Sequence, residues 1–150
     1  MNTNILSELH NTAQQAWPEL HLLIGWETGY DKLHTAPVFV RHPGRISRLV
    51  WNPLCSQNLT GYLVKDPVVS GVEGKKKIAI CVKGCDSRSL LALIKENLIE
   101  RDRLHVIGLP CRGVVDFRKL TPPSADSKIS AVQVKGDHLE VESRAGGQRF

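Results

Sequence analysis

The stretch 78–113, IAICVKGCDSRSLLALIKENLIERDRLHVIGLPCRG, constrains the fold of this chain more than any other. It opens with the apolar run Ile78 to Val82 and passes through Lys83-Gly84-Cys85. Leu90, Leu91, Ile94 and Leu98 then recur at helical spacing, with Lys95, Glu96 and Glu100 largely off that face. A second apolar run, Leu104 to Leu109, leads into Pro110-Cys111. The pattern reads strand, helix, strand. About twenty residues separate the two runs, more than the dozen or so that a parallel crossover needs, so both strands should point the same way. Cys85 and Cys111 each closely follow a strand. Both therefore belong at the carboxyl edge of the sheet, where open α/β folds bind ligands.

The 150 residues suffice for one domain with a real core. With 41% apolar and 23% charged residues, the composition is that of a globular chain and argues against disorder over most of it. A net charge of +5 and a pI of 9.2 would suit an acidic partner, a nucleic acid or an anionic cofactor. The basic residues form no long run, Lys75-Lys76-Lys77 being the densest group, and no recognition motif accompanies them, which argues against nucleic acid. No apolar stretch reaches the roughly eighteen residues of a membrane span. The first residues, MNTNILSELHNTAQQ, lack the basic flank and apolar core of a secretory signal. The expected compartment is the reducing cytoplasm, where four cysteines suggest metal, redox chemistry or burial rather than a disulfide framework.

Around the central unit, the spacing of Ile5, Leu9, Ala13, Ala16 and Trp17 predicts a helix that Pro18 ends. Leu20 to Trp26 reads as a strand, followed by a loop containing Gly25 and Gly29, a short strand Pro37 to Val40, and one helical turn within Arg45 to Trp51. Asn52-Pro53 signals a turn, and the residues after it predict a helix start near Cys55 or Ser56. A thiolate at Cys55 would be stabilised by that helix end. Residues 66–74 and 121–127 read as connections, and Ile129 to Val134 with His138 to Ser143 as a hairpin about Lys135-Gly136-Asp137. The last residues, 144–150, read as a frayed tail. The expected architecture is a single α/β domain over 1–150, a small mostly parallel sheet with flanking helices and a carboxyl-terminal β-hairpin.

Cys55, Cys85 and Cys111 are the residues best suited to chemistry, because thiolates are soft ligands for iron–sulfur clusters or zinc. Their wide spacing matches no compact motif, and buried free cysteine accounts for them too. Cys81, inside a strand, reads as buried. The helix opening at Asp86-Ser87-Arg88 offers free N–H groups and a guanidinium to a phosphate, with Gly84 allowing close approach. The opposing reading is that Asp86 caps its own helix and repels an anion. Neither G-x-G-x-x-G nor the P-loop pattern is present, which argues against nicotinamide and nucleoside-triphosphate chemistry. None of the six histidines pairs with another at helical spacing, and there is no nucleophile elbow.

Three segments in order, LVWNPLCSQNLTGYL (49–63), KGCDSRSL (83–90) and IGLPCRGVVD (107–116), together with APVFVRHP (36–43) and the hairpin, resemble the beta subunits of coenzyme F420 hydrogenases and formate dehydrogenases. The resemblance covers nearly all of the chain and implies an electron-transfer subunit of a larger oxidoreductase, also of the heterodisulfide-reductase-like kind. It implies FAD and a 4Fe-4S cluster, with Cys55, Cys85 and Cys111 as cluster ligands. Gly29, Asn58, Gly84, Asp86, Ser87 and Arg88 fall in the implied flavin region. Members of that family continue into a segment with a C-x-x-C pair, so the expected partners include a subunit that supplies one. The alternatives are a cofactor-free structural or assembly subunit, or a zinc-binding module.

Overall fold

The computed structural model describes residues 3–30, 34–65, 76–116, 129–135, 138–143 and 146–149. A four-stranded sheet has the order β2-β1-β3-β4, formed by β1 (Leu20–Thr28), β2 (Thr35–Val40), β3 (Lys77–Lys83) and β4 (Leu104–Leu109). Strands β1, β3 and β4 run parallel, and β2 is an antiparallel edge hairpinned to β1. The α/β architecture with a mostly parallel sheet is thus the one expected. β1 and β3 are buried along most of their length, as near-continuous apolar runs require of central strands. Pro37 sits in the edge strand β2, where its missing N–H costs no ladder bond in a central position.

Helix α1 (Thr3–Ala16) buries Leu9 and Ala13, and His10 Nε2 lies 2.9 Å from the Leu49 carbonyl oxygen. Pro18 falls in the 3-10 turn Trp17–Glu19 that separates α1 from β1. A second 3-10 turn, Pro43–Arg48, replaces the helical turn expected slightly later. After Asn52-Pro53 the chain does not enter a helix near Cys55 or Ser56. It forms turns and reaches only the short helix α2 (Tyr62–Lys65). Two asparagines explain this: Asn52 Oδ1 accepts from Leu54 N–H and Asn58 Oδ1 from Thr60 N–H, local bonds that compete with helix formation.

Helix α3 (Ser87–Lys95) links β3 to β4 with Leu90 buried and Ile94 half-buried. Asn97 has φ 55°, and the N–H groups of Asn97 and Leu98 bond to the carbonyls of Ile94 and Leu93. This left-handed C-terminal stop puts Leu98 past the helix, 51% exposed, instead of on its apolar face.

The carboxyl-terminal residues form a separate three-stranded antiparallel sheet. The expected hairpin is β5 (Ile129–Lys135) and β6 (His138–Ser143), with Lys135 opposite His138. Residues 144–150 were expected to fray, and Gly146–Arg149 instead form β7 against β6. Backbone pairing along the outer edge of β6 ties down a segment whose side chains give no strand signal. The expected connections over 66–74 and 121–127 lie outside the described residues. Among the described residues no helix is long and apolar enough to cross a membrane.

Candidate functional site at the carboxyl edge

Because β1, β3 and β4 are parallel, the β1–β2 turn, the β3–α3 turn and the segment after β4 share one edge of the sheet. The 52–60 loop joins them there. Gln57 Nε2 donates to Thr35 O at 2.7 Å, Thr35 Oγ1 to Leu54 O at 3.1 Å, Val115 N–H to Pro53 O at 2.9 Å, and Asn58 Nδ2 to Ser89 Oγ at 3.0 Å.

The centre of this edge is Lys83, the last residue of β3, which is 2% exposed. Its ammonium donates to the carbonyl oxygens of Cys55 at 3.1 Å, Ser56 at 3.5 Å and Gln57 at 2.7 Å. It lies 2.8 Å from Asp86 Oδ2 and 4.6 Å from the Trp26 ring centroid. Burying an ammonium is costly unless paired, and the carboxylate, three carbonyls and an aromatic face together meet that cost. Trp26 in turn packs on Trp51 with ring centroids 5.4 Å apart. Sequence reading passed through Lys83 between the strand and the helix and gave it no role. The usable signal was Lys-x-x-Asp at a strand end, which sets an acid one turn from a base.

Asp86 therefore points inward. It stands at the N-cap of α3 without making a side-chain capping bond, so the expected conflict between its carboxylate and an anion is removed by Lys83. The first helical bond runs from Leu90 N–H to Asp86 O, leaving the preceding N–H groups of the first turn without a helical acceptor. Ser87 Oγ donates to Gly84 O at 2.6 Å. Arg88 is exposed and has no ion pair among the described residues. Gly84 is exposed, and a Cβ there would meet nothing within 4 Å, so the fold itself does not require glycine at that place. Gly29 differs: its N–H bonds to His34 O at 2.8 Å, and a Cβ would come within 2.7 Å of that oxygen. Asn58 spends its side chain on Thr60 and Ser89, inside the loop framework.

The cysteines divide into two kinds. Cys55 and Cys81 are buried, and Cys85 and Cys111 are exposed. Burial pushes the Cys55 thiol up to about 11, against hydrogen bonds and the nearby Lys83 charge that pull it down. Burial likewise pushes Cys81 up to about 12. The expectation of a helix-stabilised thiolate at Cys55 is thereby corrected, since there is no helix start at this residue and desolvation favours the neutral thiol. Cys85 Sγ lies 3.6 Å from Asp86 Oδ1, and Cys111 Sγ 3.6 Å from Gly113 O. The structure brings the Cys55, Cys85 and Cys111 segments to one edge, but among the described residues no group of three or more His, Cys, Asp or Glu side chains could hold a metal ion. A cluster needs deprotonated thiols converging on one point, and the described residues do not fit one.

No family model matches the chain. Among curated proteins, it is similar to the F420-dependent formate dehydrogenase 1 subunit beta of Methanococcus maripaludis, with 28% identity over 93 residues. That match covers 62% of this chain and 23% of the relative, so the chain spans under a quarter of that protein's length. Among solved structures, it is similar to a chain of the F420-reducing nickel–iron hydrogenase complex from Methanosarcina barkeri, with a TM-score of 0.59 and 14% identity. The match takes in 100% of this chain and 57% of that one, and at this identity it speaks for the fold alone.

Proposed function

We propose that this chain is an electron-transfer component of an oxidoreductase complex, and that the opening of α3 receives the anionic part of a flavin such as FAD. The observation that carries the reading is the uncapped first turn of α3, beside an open Gly84 and an exposed Arg88, with the Asp86 carboxylate neutralised by Lys83. The likeness to the formate dehydrogenase beta subunit supports the oxidoreductase setting and other subunits as partners. A bound flavin would supply the hydride and single-electron chemistry. The chain's own contributions are positional: backbone N–H groups of the first turn and Arg88 bind the phosphate charge, and Lys83 keeps Asp86 turned away from it. The iron–sulfur part of the sequence expectation is not carried into this proposal, because the donor set does not fit it.

Titration of the purified protein with FAD, read by quenching of flavin fluorescence, tests the reading. Saturable binding is expected, and Arg88→Ala should weaken it by about tenfold, the loss of one charge-assisted hydrogen bond. Binding unchanged in Arg88→Ala, or no binding by the unsubstituted chain, would sink it.

A further inference from the structure

Residues 52–60 cross the carboxyl edge as a strap that is tied to each of the three connections there. Gln57 Nε2 and Thr35 Oγ1 join it to the start of β2, the Lys83 ammonium and Ser89 Oγ join it to the β3–α3 unit, and Pro53 O joins it to Val115. Of these ties, the last alone runs backbone to backbone. Within the strap, Asn52 Oδ1 accepts from Leu54 N–H, and Asn58 Oδ1 accepts from the N–H and the hydroxyl of Thr60. These local bonds give the segment a shape of its own, independent of what it is tied to.

The two buried thiols lie on either side of the boundary between strap and sheet. Cys55 belongs to the strap and is 0% exposed, whereas Cys81 stands opposite Ile107 in β3, a strand laddered to both β1 and β4. Reaching Cys81 means breaking a central ladder of backbone bonds together. Reaching Cys55 means that side-chain ties let go and water takes their place, which is the cheaper event. The buried ammonium does not oppose it. When the carbonyl oxygens of Cys55, Ser56 and Gln57 leave, Lys83 keeps Asp86 at 2.8 Å and gains water, so no charge is stranded.

We propose that the 52–60 strap is a latch that opens and closes as one unit while the sheet stays folded. Closed, it holds the β1–β2 turn, the start of α3 and the segment after β4 in one arrangement and seals Cys55. Open, it releases these connections and presents the Cys55 thiol to solvent. A ligand that touches both the strap and one of the connections binds the closed form and shifts the population toward it. This inference does not depend on flavin binding.

The reduced 150-residue chain is treated with excess iodoacetamide under native conditions, and labelling of each cysteine is followed by peptide mapping. Cys85 and Cys111, both exposed, should label first. Cys55 should follow at least about tenfold faster than Cys81, because local opening costs less free energy than dismantling the sheet. Gln57→Ala and Ser89→Ala each remove one tie and leave the bonds inside the strap intact. Each should speed Cys55 labelling by about fivefold, the loss of one hydrogen bond, and leave Cys81 unchanged as the control for global stability. Equal rates at Cys55 and Cys81, both thiols speeded alike, or a Cys55 rate that neither variant raises would overturn the proposal.

Discussion

The two connections that leave the parallel strands at this edge are built on opposite plans. The turn after β3 is fastened from inside, by a buried ammonium that holds Asp86 and three carbonyls of the 52–60 loop. The segment after β4 is exposed from Pro110 to Val114 and reaches that same loop by a backbone bond from Val115 to Pro53. The first plan fixes side-chain identity, because any change strands a desolvated charge. The second fixes only the path of the backbone and leaves its side chains available for chemistry. Cys55 and Cys111 follow the same division, one sealed and one open.

The sharpest way to break the contrast is Lys83→Met, which leaves Asp86 buried without its counter-charge. It should cost about 3–5 kcal/mol in urea unfolding, and adding Asp86→Asn should restore part of that. A loss under about 1 kcal/mol would mean the ammonium does not anchor the edge. Alkaline pH probes the sealed thiols next. Cys55 and Cys81 have folded values of about 11 and 12 against an ordinary 9.0, so the folded state binds their protons more tightly. Their stabilisation is complete below pH 9 and lost as pH rises through the folded values. Unfolding free energy should fall by up to about 5 kcal/mol by pH 11, at about 1.4 kcal/mol per pH unit for each thiol. Cys55→Ser should flatten this slope, whereas Cys85→Ser, at an exposed thiol, should leave it unchanged. The smallest effect is expected at Gly84→Ala. With open space above it, stability should stay within about 0.5 kcal/mol by thermal unfolding. A larger loss would show that the fold, and not a ligand, needs glycine there.

The strand, helix and strand of the central unit were legible because apolar spacing reports burial, and burial decides these elements. The residues around Cys55 were misread because Asn52 and Asn58 organise that loop through local side-chain bonds, which leave no periodicity. Lys83 was hidden for another reason. A lysine beside a glycine resembles a solvated turn, and its burial depends on Asp86, Trp26 and a loop far earlier in the chain. β7 was missed because its stability resides in backbone pairing with β6 rather than in side chains of its own. Of the expected site residues, Cys85, Gly84, Ser87 and Arg88 lie around one turn, while Gly29 and Asn58 are used by the fold itself.

The aromatic pair behind the anchor has an optical consequence. Two of the three tryptophans, Trp26 and Trp51, are packed together, and the Lys83 ammonium lies over the ring of the first. A cation over an indole face perturbs its excited state, so the Trp26 share of the intrinsic emission reports on the interior of the carboxyl edge. Any event that draws Lys83 away from Trp26 changes the colour and yield of that emission, and the chain thus carries an unlabelled reporter of its own anchor.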